Sequence, residues 1–377
     1  MAISRFKHVR VAGITTVIPE HYINIDDELH YFDNNPKKVE RQKKMIGYGR
    51  RYIADDRTTV TDLACDAARK LMDKMSINSE DVGMLIFVNQ KPDYIEPCDA
   101  NIAHGRLNLP KVSPAMQINL GCSGYIYALM TAHAMIESGV TKSCLLLAGD
   151  ICARKTDQTN RKVAPVFGDA ASATYIVRSE EERHATFVLG ADGKGWDKII
   201  YPYGGMRLPL RKEDFDSVVE DAVGNRWKPT DVIMKGEDVF AFTMEVAPQL
   251  IRDTVLAAGW TNDNVDLFSI HQANKQILDM IIAKAGIPEE KAPTDVFSKY
   301  ANNSTNSVVT VVCDQPQERK IDRTVMVAFG IGLSWGGAAI DLSGMYNGGI
   351  SIYKTPDDAP SRDEQIEYWR RYFKGEI

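Results

Sequence analysis

The apolar positions of the chain form two copies of one pattern. Between residues 60 and 90, apolar residues at helical spacing precede a short apolar run, which predicts an amphipathic helix followed by a buried strand. The same succession returns over residues 246–270, where Leu250, Ile251 and Leu256 lie on the predicted helix. The chain therefore contains two related α/β units.

The correspondence continues downstream in both copies. A Leu-Pro or Ile-Pro pair precedes a predicted strand in each half, at residues 115–120 and at residues 295–297. A helix-compatible run follows, and then a further apolar strand at residues 144–149 and at residues 324–330. A stretch of small residues closes each copy. Four matched elements in one order predict a duplicated α/β fold whose halves pack face to face.

The composition divides the chain into segments. We assign residues 1–190 to an N-terminal half and residues 236–342 to a C-terminal half. Residues 191–235, rich in glycine, proline and charge, are predicted to be an inserted excursion, and residues 343–377 a C-terminal extension. An apolar stripe at helical spacing predicts a helix in that extension that docks on the body or on a partner chain: Ile366, Trp369 and Phe373.

Charge and composition exclude several classes of protein. The 45 basic and 51 acidic residues give a net charge of −6, which does not indicate a nucleic-acid-binding protein. No apolar run reaches the ~18 residues of a membrane helix, and the N-terminus lacks the apolar core of a signal peptide. We therefore expect a cytoplasmic protein that binds no membrane. A chain of this length without a secretion signal is expected to keep its cysteines reduced. The sequence has neither a Cys-x-x-Cys nor a His-x-x-x-His spacing, and we expect no metal and no cofactor.

Cys122 differs from the other cysteines in its neighbours. It lies in Gly121-Cys122-Ser123-Gly124, after a predicted strand and before an apolar run at residues 125–136 that predicts a buried helix. The N–H groups and the dipole at a helix N-terminus stabilise a thiolate, and the glycines allow a sharp turn. We predict that Cys122 is a nucleophile; the alternative is a buried structural cysteine.

His271 and Asn302 occupy comparable positions. His271 directly follows an apolar strand, and Asn302 takes the place in the second half that Cys122 takes in the first. A thiol, an imidazole and a carboxamide can supply a nucleophile, a proton-handling group and a hydrogen-bond donor. The alternatives are a core histidine and a helix-capping asparagine. His133, within the predicted buried helix, is interpreted as structural.

Taken together, these segments resemble the β-ketoacyl-[acyl-carrier-protein] synthase III group of the thiolase superfamily. The resemblance runs from about residue 8 to residue 342 and implies a duplicated αβαβα five-layer sandwich that forms a homodimer. The matching segments are Gly121–Gly124, Gly149–Asp157, Phe167–Ala171, His271–Asn274, the Asn302 segment and Ala328–Gly336.

The resemblance implies a decarboxylative Claisen condensation in fatty-acid or specialised, polyketide-like biosynthesis. Cys122 would accept an acyl group from acyl-coenzyme A or acyl-carrier protein, and a malonyl-carrier thioester would then lose CO2 and attack it. His271 and Asn302 would stabilise the enolate. The backbone N–H groups of Cys122 and Ile331 would hold the acyl-thioester oxygen. The product would be a β-ketoacyl thioester.

Three positions depart from the family pattern. The tryptophan that clasps the adenine of coenzyme A is absent, whereas Arg161 retains the other clasp position. Gln276 replaces the basic residue that contacts the carrier protein, with Lys275 beside it. Glu96 aligns with the apolar residue that closes the acyl pocket across the dimer, which implies a polar acyl chain or a relocated pocket floor.

Other functions remain as alternatives. A thiolase-fold acyltransferase that forms an ester or amide would keep the cysteine without decarboxylation. A papain-like cysteine hydrolase shares the chain order Cys, His, Asn, but it predicts a tryptophan on the cysteine helix and no duplication. A catalytically silent partner subunit would not be expected to retain all three residues.

Overall fold

Helices and strands alternate along most of the chain. The computed structural model describes residues 2–153, 160–215, 217–222 and 224–377. The helices in these ranges are α1 (Pro36–Ile46), α2 (Val60–Met75), α3 (Asp99–Arg106), α4 (Gly124–Glu137), α5 (Gly236–Ala257), α6 (Lys275–Ala285), α7 (Val296–Tyr300), α8 (Ser307–Cys313) and α9 (Arg362–Phe373). Of the helices in these ranges, none is both long enough and apolar enough to cross a membrane.

The strands form two large sheets and three short pairs. They are β1 (Ala2–Phe6), β2 (Val9–Pro19), β3 (Tyr22–Asn24), β4 (Arg50–Tyr52), β5 (Leu85–Val88), β6 (Ala115–Ile118), β7 (Ser143–Asp150), β8 (Ala170–Arg178), β9 (Ala185–Ala191), β10 (Ile199–Ile200), β11 (Val219–Glu220), β12 (Arg226–Trp227), β13 (Ile233–Met234), β14 (Leu267–Ile270), β15 (Arg323–Gly330), β16 (Ser334–Asp341) and β17 (Tyr346–Tyr353). The first sheet has the order β17-β2-β8-β7-β5-β6, and the second β1-β9-β16-β15-β14.

The two sheets confirm the duplication. In the first, β5 runs parallel to β7, whereas β8 is antiparallel to both β7 and β2. In the second, β14 runs parallel to β15, whereas β16 is antiparallel to both β15 and β9. The series β2-β8-β7-β5 and β9-β16-β15-β14 therefore share one order and one set of directions.

Local signals explain where the repeat begins. The backbone N–H of Thr59 donates to the carboxylate of Asp62 at 2.7 Å in a capping box, which starts α2. The residues that the apolar spacing placed on one face of this helix, Leu63, Ala67 and Leu71, are all buried. They pack on the outer face of the first sheet, as the pattern predicted.

The helices complete the five predicted layers. Helices α4 and α8 lie between the two sheets, α2 and α3 cover the outer face of the first, and α5 and α6 cover the outer face of the second. Ile126, Leu129 and Ile136 of α4 are fully buried in the central core. Burying each such side chain contributes about 1.5–3 kcal/mol. The αβαβα sandwich therefore holds the start of α4, next to Cys122, between its two halves.

Two local predictions were wrong. Residues 295–297, predicted as a strand, form the N-cap and the first turn of the short helix α7. The backbone N–H of Phe297 donates to the Gln272 side chain at 3.1 Å instead of to β14, so the second sheet ends at β14. Leu256, predicted on the apolar face of α5, is 77% exposed. The buried face passes through Leu250, Ile251 and Val255 instead.

The sheets also divide the chain differently from the predicted segments. Strand β9, placed in the N-terminal half by the boundary at residue 190, lies in the second sheet, because it pairs with β16. Strand β17, in the predicted extension 343–377, joins the first sheet beside β2. Only α9 carries the predicted apolar stripe, and its Trp369 and Phe373 are exposed rather than packed on the body.

Candidate active site

The three side chains predicted to carry the chemistry lie in one cavity. Cys122, His271 and Asn302 line a space of about 400 Å³. The loop after β6 carries Cys122, the end of β14 carries His271, and the loop after α7 carries Asn302. The backbone of Asn302 also pairs with Phe167 of the first half, so the cavity lies where the two halves meet.

Cys122 is surrounded by hydrogen-bond donors. The Ser304 hydroxyl and the backbone N–H groups of Ile331 and of Cys122 itself contact Sγ and favour its anionic form. A Cβ added at Gly330 would lie 2.9 Å from Sγ, so glycine is needed there for the β15 turn to come this close. The predicted pair of N–H groups from Cys122 and Ile331 is thus assembled at the sulfur.

The thiol is nevertheless protonated at neutral pH. Burial raises the pKa of Cys122 to about 11, and the carboxylate of Asp150 acts in the same direction. The three donors lower the pKa by less than these two effects raise it. The thiolate expected from the helix N-terminus is therefore not the resting state, and helix α4 begins only two residues further on, at Gly124.

His271 presents a neutral imidazole to the cavity. Burial lowers the pKa of His271 to about 4. Its Nδ1 is buried and has no hydrogen-bond partner within the described parts of the chain. A buried N–H without an acceptor is rarer and costlier than a buried lone pair, so we infer that the proton lies on Nε2. The ring of Phe329 packs edge-on at 5.6 Å between centroids and holds the imidazole in place.

The loop around Asn302 fixes its amide group. The backbone N–H of Asn302 donates to Val166 at 3.0 Å, and its carbonyl accepts from Gly168 at 3.1 Å. The side-chain Oδ1 accepts from the backbone N–H of Ser304 at 2.8 Å. With the oxygen held in its own turn, the Nδ2 group is left to donate into the cavity.

A buried polar chain behind Cys122 was not predicted. Gln90 donates from Nε2 to the Ser304 hydroxyl at 2.9 Å and from its backbone N–H to Asp150 at 2.9 Å. Thr305 donates its hydroxyl to the same carboxylate at 2.6 Å. These contacts orient the hydroxyl that faces Sγ. Gln90 follows β5 as His271 follows β14, so the position of a polar residue at a strand end could have revealed it.

Some of the other predicted residues line the cavity, and others lie at the surface. Gln276 and Ile331 line the cavity, and Ile331 packs so closely on Gly121 that a Cβ there would clash. Lys275 pairs with Asp279 at 2.5 Å on the surface of α6.

Two further residues that were predicted to belong to the site, Arg161 and Glu96, do not line the cavity. Arg161 is partly exposed, and its guanidinium Nη1 lies 3.8 Å from Oδ1 of Asp33. Glu96 is exposed and does not line the cavity of the single chain. The motif residues Arg154, Thr156 and Asp157 lie outside the described residues.

Known proteins resemble this chain in sequence and in fold. The family model of 3-oxoacyl-[acyl-carrier-protein] synthase III matches residues 116–193, and the model of its C-terminal part matches residues 255–342. A Campylobacter jejuni protein named as a 3-oxoacyl-[acyl-carrier-protein] synthase 3 is 36% identical over 93% of this chain and 98% of its own length. A beta-ketoacyl-[acyl-carrier-protein] synthase III of Clostridium perfringens is 28% identical over 89% of this chain and 100% of its own length.

Comparison of the fold with solved structures supports the same family. A solved structure of a 3-oxoacyl-(acyl-carrier protein) synthase from Burkholderia xenovorans superimposes with a TM-score of 0.84 at 32% identity. It covers 94% of this chain and 99% of its own. Matched over nearly its whole length in both sequence and fold, the chain belongs to the 3-oxoacyl-[acyl-carrier-protein] synthase III family, the condensing acyltransferases of the thiolase superfamily.

Proposed function

We propose that the protein catalyses a decarboxylative Claisen condensation between an acyl group carried on Cys122 and a malonyl-type thioester. The observation that carries this proposal is the presence of two separate sets of neutral donors in one cavity. One set, the N–H groups of Cys122 and Ile331, faces the sulfur. The other, on His271 and Asn302, lines the same space.

The first step loads the enzyme. Sγ of Cys122 attacks the carbonyl carbon of an acyl thioester, and the new C–S bond replaces the bond to the donor. The proton of the Cys122 thiol ends on the departing thiol, so loading neither consumes nor releases a proton. The N–H groups of Cys122 and Ile331 stabilise the oxygen of the tetrahedral intermediate. Ser304, which contacts Sγ, stabilises the thiolate as it forms.

The second step makes the carbon–carbon bond. The malonyl thioester loses CO2, and the electron pair of the broken bond forms an enolate whose oxygen accepts hydrogen bonds from Nε2 of His271 and Nδ2 of Asn302. The enolate carbon attacks the acyl-Cys122 carbonyl, the C–S bond breaks, and the sulfur takes up one proton. A β-ketoacyl thioester and CO2 are released.

The low pKa of His271 suits this chemistry. An imidazolium would stabilise the malonyl carboxylate before the reaction, which would raise the barrier to its loss. Because the pKa of His271 is about 4, the ring is a neutral donor at pH 7 and stabilises the enolate oxygen without holding the carboxylate.

The carriers and the dimer form part of the proposal. We assign Arg161, Lys275 and Gln276 to contacts with coenzyme A or with the phosphopantetheine of a carrier protein. Gln276 lines the cavity, and the other two lie at the surface. Glu96, exposed in the single chain, is assigned to the acyl-pocket floor across a homodimer.

Carbon dioxide release distinguishes this function from ester or amide formation. The wild type, given an acyl thioester and malonyl thioester, should release CO2 and a β-ketoacyl product. His271→Ala should lose about 100-fold or more of the decarboxylation while Cys122 still becomes acylated. Cys122→Gln should decarboxylate malonyl thioester without condensing it. Acyl transfer to an alcohol or amine with no CO2 would contradict the proposal.

A further inference from the structure

A lysine side chain lies inside the cavity that holds Cys122. Lys91, three residues after the end of β5, lines this cavity together with Cys152 and Tyr201. Its Nζ donates to the Tyr201 hydroxyl at 2.6 Å and lies 4.5 Å from the centre of that ring. Neither the nucleophile nor the enolate donors use this cation.

Among the described residues, the charge of Lys91 has no anionic partner within 4 Å. Within the described residues, Nζ makes that one hydrogen bond and no ion pair within 4 Å. Burial raises the pKa of the Cys152 thiol and of the Tyr201 phenol to about 12, so both are neutral at pH 7. The nearby carboxylate of Asp150 already accepts hydrogen bonds from Gln90 and Thr305.

The ammonium form nevertheless persists. Burial by itself lowers the pKa of Lys91, whereas Cys152, Tyr201 and, to a smaller extent, Asp150 raise it by more, so the net pKa is raised. With Cys152 and Tyr201 neutral, the hydrogen bond to Tyr201 and the charge of Asp150 still favour the ammonium form. An ammonium group in an apolar cavity is unfavourable unless an anion or hydrogen-bond acceptors compensate its charge. A cavity that holds such a charge favours a ligand that brings the opposite one.

The walls around the lysine are apolar. Ile199, Val232 and Met234, all from the segment 191–235 predicted as an excursion, line the same cavity. Val232 forms a small apolar cluster with Cys152, and Ile199, Met234 and Tyr201 pack against it. Lys162 also lines the cavity, but its ammonium group pairs with Asp221 at 2.5 Å. An apolar wall with an ammonium group and a hydroxyl is typical of a pocket for a ligand with a methylene chain and an anionic end.

We propose that the acyl group loaded on Cys122 ends in a carboxylate that Lys91 and Tyr201 bind. The substrate class is the monothioesters of short dicarboxylic acids, and this inference rests on the proposed function, because it concerns the acyl group that Cys122 carries. Lys91 has further N–H groups to donate to the carboxylate. Tyr201, whose oxygen accepts from Lys91, donates its own O–H to the same group.

Matched acyl donors test this directly. Pantetheine thioesters of succinate and glutarate are compared with those of butyrate and valerate, which have the same numbers of carbon atoms. Pantetheine carries neither adenine nor a protein, so the comparison is independent of the natural carrier. Loading of Cys122 is followed by intact-protein mass, and kcat/KM is measured for each donor.

The wild type should prefer the carboxylate donor of each pair by about 30-fold or more, as expected for a buried charge pair. Lys91→Met should reverse this preference and gain loading from butyryl pantetheine. Lys91→Arg should retain it in part, and Tyr201→Phe should weaken it. Lys142→Met, at an exposed lysine outside the cavity, is the matched control and should keep the wild-type preference.

The remaining outcomes overturn the inference. If wild type and Lys91→Met both prefer the apolar donor of each pair to the same degree, Lys91 does not bind the end of the acyl group. The proposed function still stands in that case, because Cys122 is acylated. If Glu96→Gln gains succinyl loading that the wild type lacks, the carboxylate of Glu96 from a second copy already forms an ion pair with Lys91. The Lys91 ammonium group is then not available to the substrate, and the inference fails. If no donor loads Cys122 of the folded protein, the proposed function fails and the inference fails with it.

Discussion

At the scale of single residues, the reactivity of Cys122 depends on a balance between burial and donated hydrogen bonds. Burial and Asp150 raise the pKa of its thiol to about 11, although three donors face the sulfur. Only the thiolate reacts with alkylating agents, and its fraction grows about tenfold per pH unit below the pKa.

This balance predicts the pH profile of alkylation. The rate at which iodoacetamide modifies the Cys122 peptide should rise about tenfold per unit between pH 7 and 10. A Cys98→Ser background removes the other partly exposed cysteine, and peptide mass spectrometry measures the rate. A rate that is already constant below pH 8 would show a thiolate at rest and contradict this assignment.

The sequence predicted residues that follow strands and missed those whose role depends on closure of the fold. Cys122 and His271 each follow a short apolar run, and that position can be recognised along the chain. Lys91 sits at a strand end as well, but its environment depends on Tyr201, which is 110 residues away. The apolar spacing within 191–235 is too weak to show that this segment walls a cavity.

At the scale of elements, Gln272 joins the pieces that carry His271 and Asn302. Its backbone N–H donates to the Ser307 hydroxyl at 2.7 Å, and its amide donates to the carbonyl of Ile270 at 3.0 Å and to that of Pro293 at 3.1 Å. Its Oε1 accepts from the first turn of α7. The side chain is buried, so each partner that it leaves becomes an unsatisfied polar group.

Replacing this glutamine should loosen both halves of the enolate site. Gln272→Leu should lower the free energy of unfolding by about 3 kcal/mol, because several buried groups lose their partners at about 1–3 kcal/mol each. Malonyl decarboxylation should fall together with stability. Urea unfolding measures the first effect, and Gln249→Leu, at an exposed glutamine of α5, is the control. An unchanged urea midpoint for Gln272→Leu would refute this role.

The same contacts explain why one strand prediction failed. The sequence Asp-Val-Phe at 295–297 is apolar enough for a strand, but a strand there needs backbone partners on β14. Gln272 supplies a side-chain acceptor instead, and α7 forms. A side-chain contact across 25 residues cannot be read from local apolar spacing, whereas the paired strand order of the two halves could be predicted from the repeat.

At the scale of the whole molecule, two histidines in the interior make the fold sensitive to acid. Burial lowers the pKa of His133 and of His271 to about 4, against about 6.5 in an unfolded chain. Between pH 6.5 and 4 the unfolded state therefore binds more protons than the folded state. Stability falls as the pH falls through this window.

The substitution His133→Leu isolates the contribution of His133 to the pH dependence of stability from that of His271. Nδ1 of His133 contacts the Leu129 carbonyl at 2.8 Å, and its Nε2 is buried without a partner in the described residues, outside the cavity. On going from pH 7.5 to pH 5, the free energy of unfolding of the variant should rise by about 2 kcal/mol relative to that of the wild type. One pKa unit corresponds to about 1.4 kcal/mol.

Urea midpoints of both proteins at the two pH values give this difference. The carboxyl of Asp93, whose pKa burial raises to about 6, acts in the opposite direction but equally in both proteins, so it cancels. Parallel pH dependence of wild type and variant would show that His133 is not held neutral by the fold.

The central claim is that Cys122 carries the acyl group, and one measurement tests it most directly. The folded protein is incubated with a panel of acyl-coenzyme A, acyl-carrier-protein and acyl-pantetheine donors, and the mass of the Cys122 peptide is determined. We expect an increase equal to one acyl group on that peptide, absent from Cys122→Ser, and its loss when malonyl thioester is added. A Cys122 peptide of unchanged mass with every donor, in a protein that remains folded, would contradict the account.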